Sequence, residues 1–460
     1  MNNVVFVFLL CALGGAYLLM GRNAFRQTKN QDDYFLVGRR LGFWSLAISI
    51  VATHLGGGTV VGAAEEAYRR GWVVLCYPLG HVLGLLCLAA GFGAKIRKLN
   101  LVTISEIFEK IYGSRTLRKV SSVLSIASIF FVLIGIGIAS RKFFCDLGLD
   151  QFYIFAIFWI VIVLYTVLGG LKAVVNTDVL QMAFIIGCFV MVLCFTLGNS
   201  LALGTSPSTS TIPVQQETIP WVTWLLIPLL FAFIEQDMAQ RCFAAKTPRT
   251  ASAAALIASF VLFFSCLVPI YLGCFASKLA ITIPEGSSVL IATVKTVTNP
   301  TVTAFFMCAI LMAIVSTADS LLCSISSNVC YDLAVSGGQS MQGNVRFSQI
   351  VTFLIGMAAF GVSLRYDNIV SVYMISYELA VSVLFVPIVM AVTSKNPKIG
   401  SATLSMLCGL MCFMMFRLWI PPIPKEVLTL CLSYGGFWLG QKLPRYGKLG
   451  DDKEVFQKIK

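Results

Sequence analysis

Apolar runs of about 18–25 residues recur along the whole of this chain, each long enough to cross a bilayer as a helix. Hydrophobic residues make up 58% of the 460 positions and charged residues only 12%. That is too little charge for the surface of a soluble protein of this size. The runs lack the two-residue alternation of lipid-facing strands. The chain therefore reads as an all-α polytopic protein held in a lipid bilayer. The expected spans are thirteen, near 3–20, 43–68, 72–94, 118–145, 151–168, 176–198, 220–243, 250–276, 299–333, 346–365, 369–393, 398–416 and 424–442.

Charge gives an orientation. Met1, Asn2 and Asn3 carry no positive side chain, whereas Arg22, Arg26 and Lys29 follow the first span. This polarity is the reverse of a cleaved signal peptide, so the first span is expected to stay as an anchor with its N-terminus outside. Thirteen crossings then put the C-terminus inside. On that arrangement 25 of the 34 lysines and arginines fall in inside segments, as the positive-inside rule requires. The net charge of +13 is thus an anchoring signal, and no basic stripe interleaved with aromatics points to nucleic acid.

Several classes find no support. The fifteen cysteines are scattered through apolar runs without a C-x-x-C pair, as small buried hydrophobes are. No phosphate-binding loop supports ATP-driven pumping. No nucleophile–base pair or metal cluster supports an enzyme, and nothing calls for an organic cofactor. The polar segments 95–117 and 199–219 and the tail after 442 are each too short for a core of their own.

Two features carry chemistry. In AIVSTADSLL, Ala313, Ser316 and Thr317 sit at i, i+3 and i+4, on one helix face. Polar groups deep in a membrane helix are costly unless they bind something. Hydroxyl and carbonyl oxygens are what a hard monovalent cation needs in place of its water shell. The face reads either as half of a sodium site or as hydroxyls bonding back to their own helix. Gly56, Gly57 and Gly58, followed by Gly62, weaken the second span by roughly 1 kcal/mol each. A break there is tolerable where freed backbone lines a cavity. The alternative is close packing of small residues from Gly58 to Gly62.

Three further strings, DYFLVGRRLG at 33–42, YTVLGGLKAV-x-x-TD-x-x-Q from Tyr165 to Gln181, and DMAQRCFAAKTPRTA from Asp237 to Ala251, join AIVSTADSLL in a fixed order. Together they resemble the sodium:solute symporter family from about Asp33 to Lys398. The resemblance implies a LeuT-like core of five plus five helices in inverted repeat. Residues 1–42 would be an extra helix and cytoplasmic loop, 43–198 the first repeat, 199–219 an extracellular loop and 220–393 the second repeat. Two C-terminal helices would occupy 394–442, with a cytoplasmic tail at 443–460. The resemblance also implies that Na⁺ is held by the carbonyls of Ala52, Leu55 and Ala313 and the hydroxyls of Ser316 and Thr317. Asp178 matches an aspartate that either attracts the ion along its pathway or caps the start of its helix. Gln240 and Arg241 match a family pair at an inside helix end, where Arg241 would hold loops or lipid phosphate.

Within the family, ATHLGGGTVVGAAEEAY at 52–68 is most similar to the choline-transporter branch. A quaternary ammonium wants a box of aromatic faces. Where that branch has aromatics, this chain has His54, His81, Phe131 and Glu235. These four are the expected substrate contacts. His54 and His81 are the only histidines, and each is either a pocket group or a satisfied structural residue. Glu235 would pair with a protonated His54 or bind an amine, so a primary amine or zwitterion fits better than choline. Asp237, Glu65, Glu66 and Glu378 lie near helix ends, with Glu66 and Glu378 in reach of an outer vestibule. The expected function is sodium-driven uptake of a small polar organic solute across the cell membrane, bacterial inner or plasma. Proton coupling and a non-transporting solute sensor are the alternatives.

Overall fold

A computed structural model describes residues 3–148, 152–202, 221–279, 281, 283, 288–334, 344–365, 370–418 and 424–443. The expected loop at 199–219 lies outside the described residues from 203 onward, and the expected tail from 444 onward.

The described chain is all-helical. Helices α1 (Asn3–Phe25), α2 (Gln31–Leu36), α3 (Phe43–His54) and α4 (Ala63–Arg70) are followed by α5 (Cys76–Cys87), α6 (Gly93–Lys98) and α7 (Glu106–Lys110). The long helices α8 (Arg115–Asp146) and α9 (Phe152–Ala202) come next. Then follow α10 (Trp221–Phe231), α11 (Gln236–Ala244), α12 (Pro248–Lys278), α13 (Val289–Val297) and α14 (Pro300–Asn328). The last are α15 (Val345–Ser363), α16 (Val370–Thr393), α17 (Ile399–Leu418) and α18 (Lys425–Lys442). A single backbone bridge, Leu41 to Ala245, is the only β-type pairing among the described residues.

Sequence sets the helix starts. Ser114, Thr247, Asn299 and Asn344 each accept an amide proton from the first turn of α8, α12, α14 and α15, which satisfies one of the donors a helix start leaves free. Pro248 and Pro300 sit at the first helical positions, where no amide is needed.

Ten helices among the described residues are long and apolar enough to cross a membrane. The thirteen expected spans map onto them unevenly, for physical reasons. Straight, the 51 residues of α9 would reach about 75 Å, more than twice a hydrocarbon core of about 30 Å. Gly170, at φ 54° and ψ −149°, breaks it between the spans expected at 151–168 and 176–198. Gly71, at φ 70°, likewise divides 58–98, whose first part continues the short apolar helix α3. The remaining expected span is α18, an 18-residue helix that carries Lys425, Glu426, Gln441 and Lys442 and is the least apolar of them.

Helix α14 is the axis of the molecule, with 89% of its most apolar stretch buried. It packs against α9, α8, α15 and α3. Helix α12 covers α3, α4 and α5, and α10 lies along α5. The α5–α10 contact is close because Gly80 and Gly84 face it: a β-carbon at either would run into the backbone or side chains of Leu225, Pro228 and Ala232. This packing brings two interrupted helices, α3/α4 and α10/α11, together beside α14, with α3 and α11 touching both α14 and each other.

Candidate functional site

The first interruption follows the glycine run. Helix α3 ends at His54, and Leu55 leaves helical geometry at φ −85°, ψ 57°. The Thr59 hydroxyl turns back to donate to the carbonyls of His54 at 2.7 Å and Gly56 at 3.2 Å, the latter also accepting the Val60 amide at 3.0 Å. A π-type turn over Gly58–Gly62 then leads into α4. Gly56 is a contact requirement as well as a breaker: a β-carbon there would overlap the Thr317 side chain. Thus the glycine lets α14 approach the break.

At that approach four of the five expected sodium ligands, Ala52, Ala313, Ser316 and Thr317, meet, whereas among the described residues no hydrogen bond joins the Leu55 carbonyl to α14. The Ser316 hydroxyl donates to the Ala52 carbonyl at 2.9 Å and to the Ala313 carbonyl at 3.0 Å. The Thr317 hydroxyl lies 3.3 Å from the carbonyls of both Thr53 and Ala313. Bonding back to the helix and bonding across to the break therefore use the same oxygens. Ala52, Leu55, Ala313 and Ser316 are all buried. The Thr53 carbonyl, absent from the sequence expectation, faces Thr317. The set is neutral, oxygen-only and fixed between two helices, which is the chemistry a monovalent cation needs.

One turn further in, Asp178 sits in an ionic cluster. It is well inside the segment that starts after Gly170, so capping does not account for it. Its Oδ2 accepts from Ser49 Oγ at 2.5 Å and pairs with Arg241 Nη2 at 3.4 Å. Arg241 also donates to Ser49 Oγ at 2.9 Å, Ser320 Oγ at 2.6 Å and the Asp237 carbonyl at 3.2 Å. The expectation that Arg241 holds lipid phosphate is corrected by its position, because the side chain is fully buried. Asp319, the one carboxylate of the STADS string, accepts from the Tyr165 hydroxyl and from Ser320 at 3.4 Å. Ser320 links the two levels through Thr53, 3.4 Å away, and the Ser316 carbonyl, 2.7 Å away.

The second interruption separates α10 from α11 at Ala232–Glu235, and Glu235 is the N-cap residue of α11. No glycine marks it. Only Pro228, inside α10, hints at it in sequence. Glu235 and Asp237 are both buried at the start of α11. Among the described residues Glu235 Oε2 and Asp237 Oδ2 have no hydrogen-bond partner.

The two histidines come together. Their ring centroids are 4.9 Å apart, and Tyr77 meets His81 edge-on at 5.2 Å. His54 Nε2 and His81 Nδ1 are buried without a hydrogen-bond partner. No ion pair joins His54 to Glu235 among the described residues, so the expected His54–Glu235 pairing is not formed. Phe131 stands apart: it is 45% exposed on α8, and no ring contact involves it among the described residues. Glu66 pairs with Arg70 at 3.1 Å, and Glu378 with Lys425 at 2.8 Å and Arg417 at 3.9 Å. Both are engaged in ion pairs away from the breaks.

Helix α11 is pinned by hydrogen bonds. Gln236 accepts from the Ile104 amide at 2.8 Å and donates to Ser327 at 3.0 Å. Gln240 donates to the Phe35 carbonyl at 2.7 Å and accepts from Ser324 at 3.0 Å. With the Leu41–Ala245 bridge, these bonds tie α11 to the segments before α3 and after α6 and to the far end of α14.

Known proteins share this plan. The sequence pattern of the Sodium:solute symporter family matches residues 34–409. The osmoregulated proline transporter OpuE of Bacillus subtilis (strain 168) is 28% identical over 338 residues, 69% of this chain and 68% of its own length. The sodium/sialic acid symporter NanT of Aliivibrio fischeri is 28% identical over 50% of this chain, but the match spans only 48% of that relative. The high-affinity choline transporter 1 of Drosophila melanogaster is 23% identical over 86% of this chain and 67% of its own. Among solved structures, a substrate-bound outward-open Na⁺-coupled sialic acid symporter superposes with a TM-score of 0.75. It is 16% identical and covers 97% of this chain and 99% of that one. Mhp1, a nucleobase-cation-symport-1 family transporter in a closed conformation, superposes at 0.61 with 14% identity over 90% of this chain and 96% of its own.

Proposed function

This chain belongs to the sodium:solute symporter family, and from that premise we propose that it is a secondary active transporter that takes up a small polar organic solute with Na⁺ by alternating access. It is an integral, multi-pass protein of the cell membrane. The observation that carries the reading is the meeting of the Ser316 and Thr317 hydroxyls with the carbonyls of Ala52, Thr53 and Ala313 across the α3 break. A cation held there would bridge α14 and the broken end of α3, adding an ionic tie to their packing and hydroxyl hydrogen bonds. Its charge enters a region where Asp178, Asp319, Glu235 and Asp237 face the single buried guanidinium of Arg241.

The Asp178 cluster is assigned to the ion pathway, since it lies one turn inward of the sodium oxygens and shares Ser320 and Thr53 with them. Inward release requires α11 to part from the 102–104 segment and from α14. His54, His81 and Glu235, at the two breaks, are assigned to the solute. Phe131 would contribute only if α8 turned its exposed face toward them.

The division into repeats, 43–198 and 220–393, is part of the same proposal. It is supported by the position of the breaks, each in the first helix of its half. The topology proposed is thirteen crossings with the N-terminus outside, supported by the distribution of lysine and arginine. The named relatives carry proline, sialic acid or choline, so kinship leaves the solute open. No chemical conversion is assigned to the chain.

The test is radiolabelled uptake into proteoliposomes from a panel of amines, amino acids and carboxylates. An inward sodium gradient should drive accumulation of at least one of them. Accumulation driven equally by a pH gradient in sodium-free potassium buffer would replace sodium with protons. Saturable solute binding without accumulation under either gradient would make the protein a sensor.

A further inference from the structure

We propose that the transported solute is a small organic cation whose charge sits on a nitrogen with at least two N–H bonds, held between the Glu235–Asp237 carboxyl pair and the Tyr77–His81–His54 stack. The proposal rests on the symport reading and narrows it to a substrate class.

The argument begins with what is unsatisfied. A buried polar atom without a partner is costly, and four lie here in side chains that are each at least nine-tenths buried. They are Glu235 Oε2, Asp237 Oδ2, His54 Nε2 and His81 Nδ1. An ionised carboxylate can only accept hydrogen bonds, and a neutral imidazole offers one donor and one acceptor. Two carboxylates side by side repel unless a proton or a cation lies between them. What completes this set is therefore a donor-rich cation.

Position agrees with chemistry. Glu235 closes the second break, and His54 is the last residue before the first. Helix α5 reaches both: the Tyr77 hydroxyl faces Gly58, 3.8 Å from where a β-carbon would stand, and Gly84, three residues after His81, lies against Ala232 at the second break. A small cavity borders Glu235 opposite α5, walled by Ser125 and Ser128 of α8, Phe231 and Ile234 at the end of α10, and Ala380 and Leu384 of α16. In this conformation it is closed, so an apolar body would enter it only as α8 and α16 move apart.

Other charge types fit worse. An anionic solute needs a free cation, and among the described residues Arg241 is the only buried lysine or arginine. Its donors are already committed to Asp178, Ser49, Ser320 and the Asp237 carbonyl. A quaternary ammonium carries no N–H for the two carboxylate oxygens, and the rings at hand are two imidazoles and one phenol rather than an aromatic box.

The experiment is a methylation series on the full-length protein in proteoliposomes: ethanolamine, N-methylethanolamine, N,N-dimethylethanolamine and choline, with proline and N-acetylneuraminate as zwitterionic and anionic probes. Each competes against radiolabelled ethanolamine, and sodium binding is measured in parallel on the purified protein. The expected result is an inhibition constant that rises with each methyl, choline being at least about 10-fold weaker than ethanolamine. Glu235→Gln and Asp237→Asn should each weaken ethanolamine by about 10-fold or more. If a variant does not fold, the wild-type series decides alone. Choline equal to ethanolamine overturns the proposal. So does sodium-driven uptake of proline or N-acetylneuraminate with no uptake of any amine, and so does sodium binding with no member of the panel recognised. Those outcomes leave sodium symport standing. Absence of any sodium effect on binding or uptake overturns the symport reading itself.

Discussion

The Ser316 hydroxyl donates to the Ala52 carbonyl across 2.9 Å, joining the central helix α14 to the last turn of α3 just before that helix breaks. The bond is made by a side chain on one discontinuity-facing helix and by backbone on the other. Anything that separates α3 from α14 therefore disturbs the Ser316 and Thr317 oxygens together.

Gly56→Ala tests that closeness. Its β-carbon would overlap Thr317, whereas one at Gly62 meets nothing within 4 Å. Overpacking costs about 1–3 kcal/mol. Gly56→Ala should lower thermal stability in detergent and raise the sodium concentration needed for half-maximal uptake. Gly62→Ala should change neither appreciably. Equal effects from the two would remove the steric argument.

Arg241 and Asp178 should behave as a unit. Removing one partner from a fully buried ion pair costs about 3–5 kcal/mol, so Arg241→Gln and Asp178→Asn are each expected to destabilise strongly. The double substitution should cost clearly less than the two losses added together, since neither charge is then left alone. Denaturation of the four proteins in one detergent gives the coupling energy. Strict additivity would mean that the 3.4 Å contact carries no energy.

Much of this was legible in the sequence, and the failures have physical reasons. Spacing alone put Ala313, Ser316 and Thr317 on one face, and the glycine run located the end of α3, because both signals are local. The break at Ala232–Glu235 was invisible because no residue there has a special backbone preference. It is imposed by packing of α10 on the glycines of α5 and by the buried network around α11. Arg241 looked exposed beside Lys246 and Arg249, since its partner Asp178 is 63 residues away. Glu235 was marked as costly in an apolar run, but its neighbour Asp237 was discounted as a helix-end residue. Only the turn into α11 buries the two carboxyls together at the start of that helix.

Topology has its own test, at two positions outside the described residues. In a background without the native cysteines, a cysteine at Ser208 should react with an impermeant thiol reagent from outside intact cells. One at Lys448 should react only after permeabilisation. The reverse pattern would invert the orientation drawn from the lysine and arginine distribution.

The most direct test of the central claim is sodium binding by the purified protein, followed as a sodium-specific rise in melting temperature at constant ionic strength. The wild type should saturate with Na⁺ and not respond to K⁺. Ser316→Ala and Thr317→Ala should each weaken the apparent affinity on the order of 10-fold, as expected for a lost buried oxygen partner worth about 1–3 kcal/mol. A wild-type protein that responds alike to Na⁺ and K⁺, or a sodium response unchanged in both variants, would contradict the account.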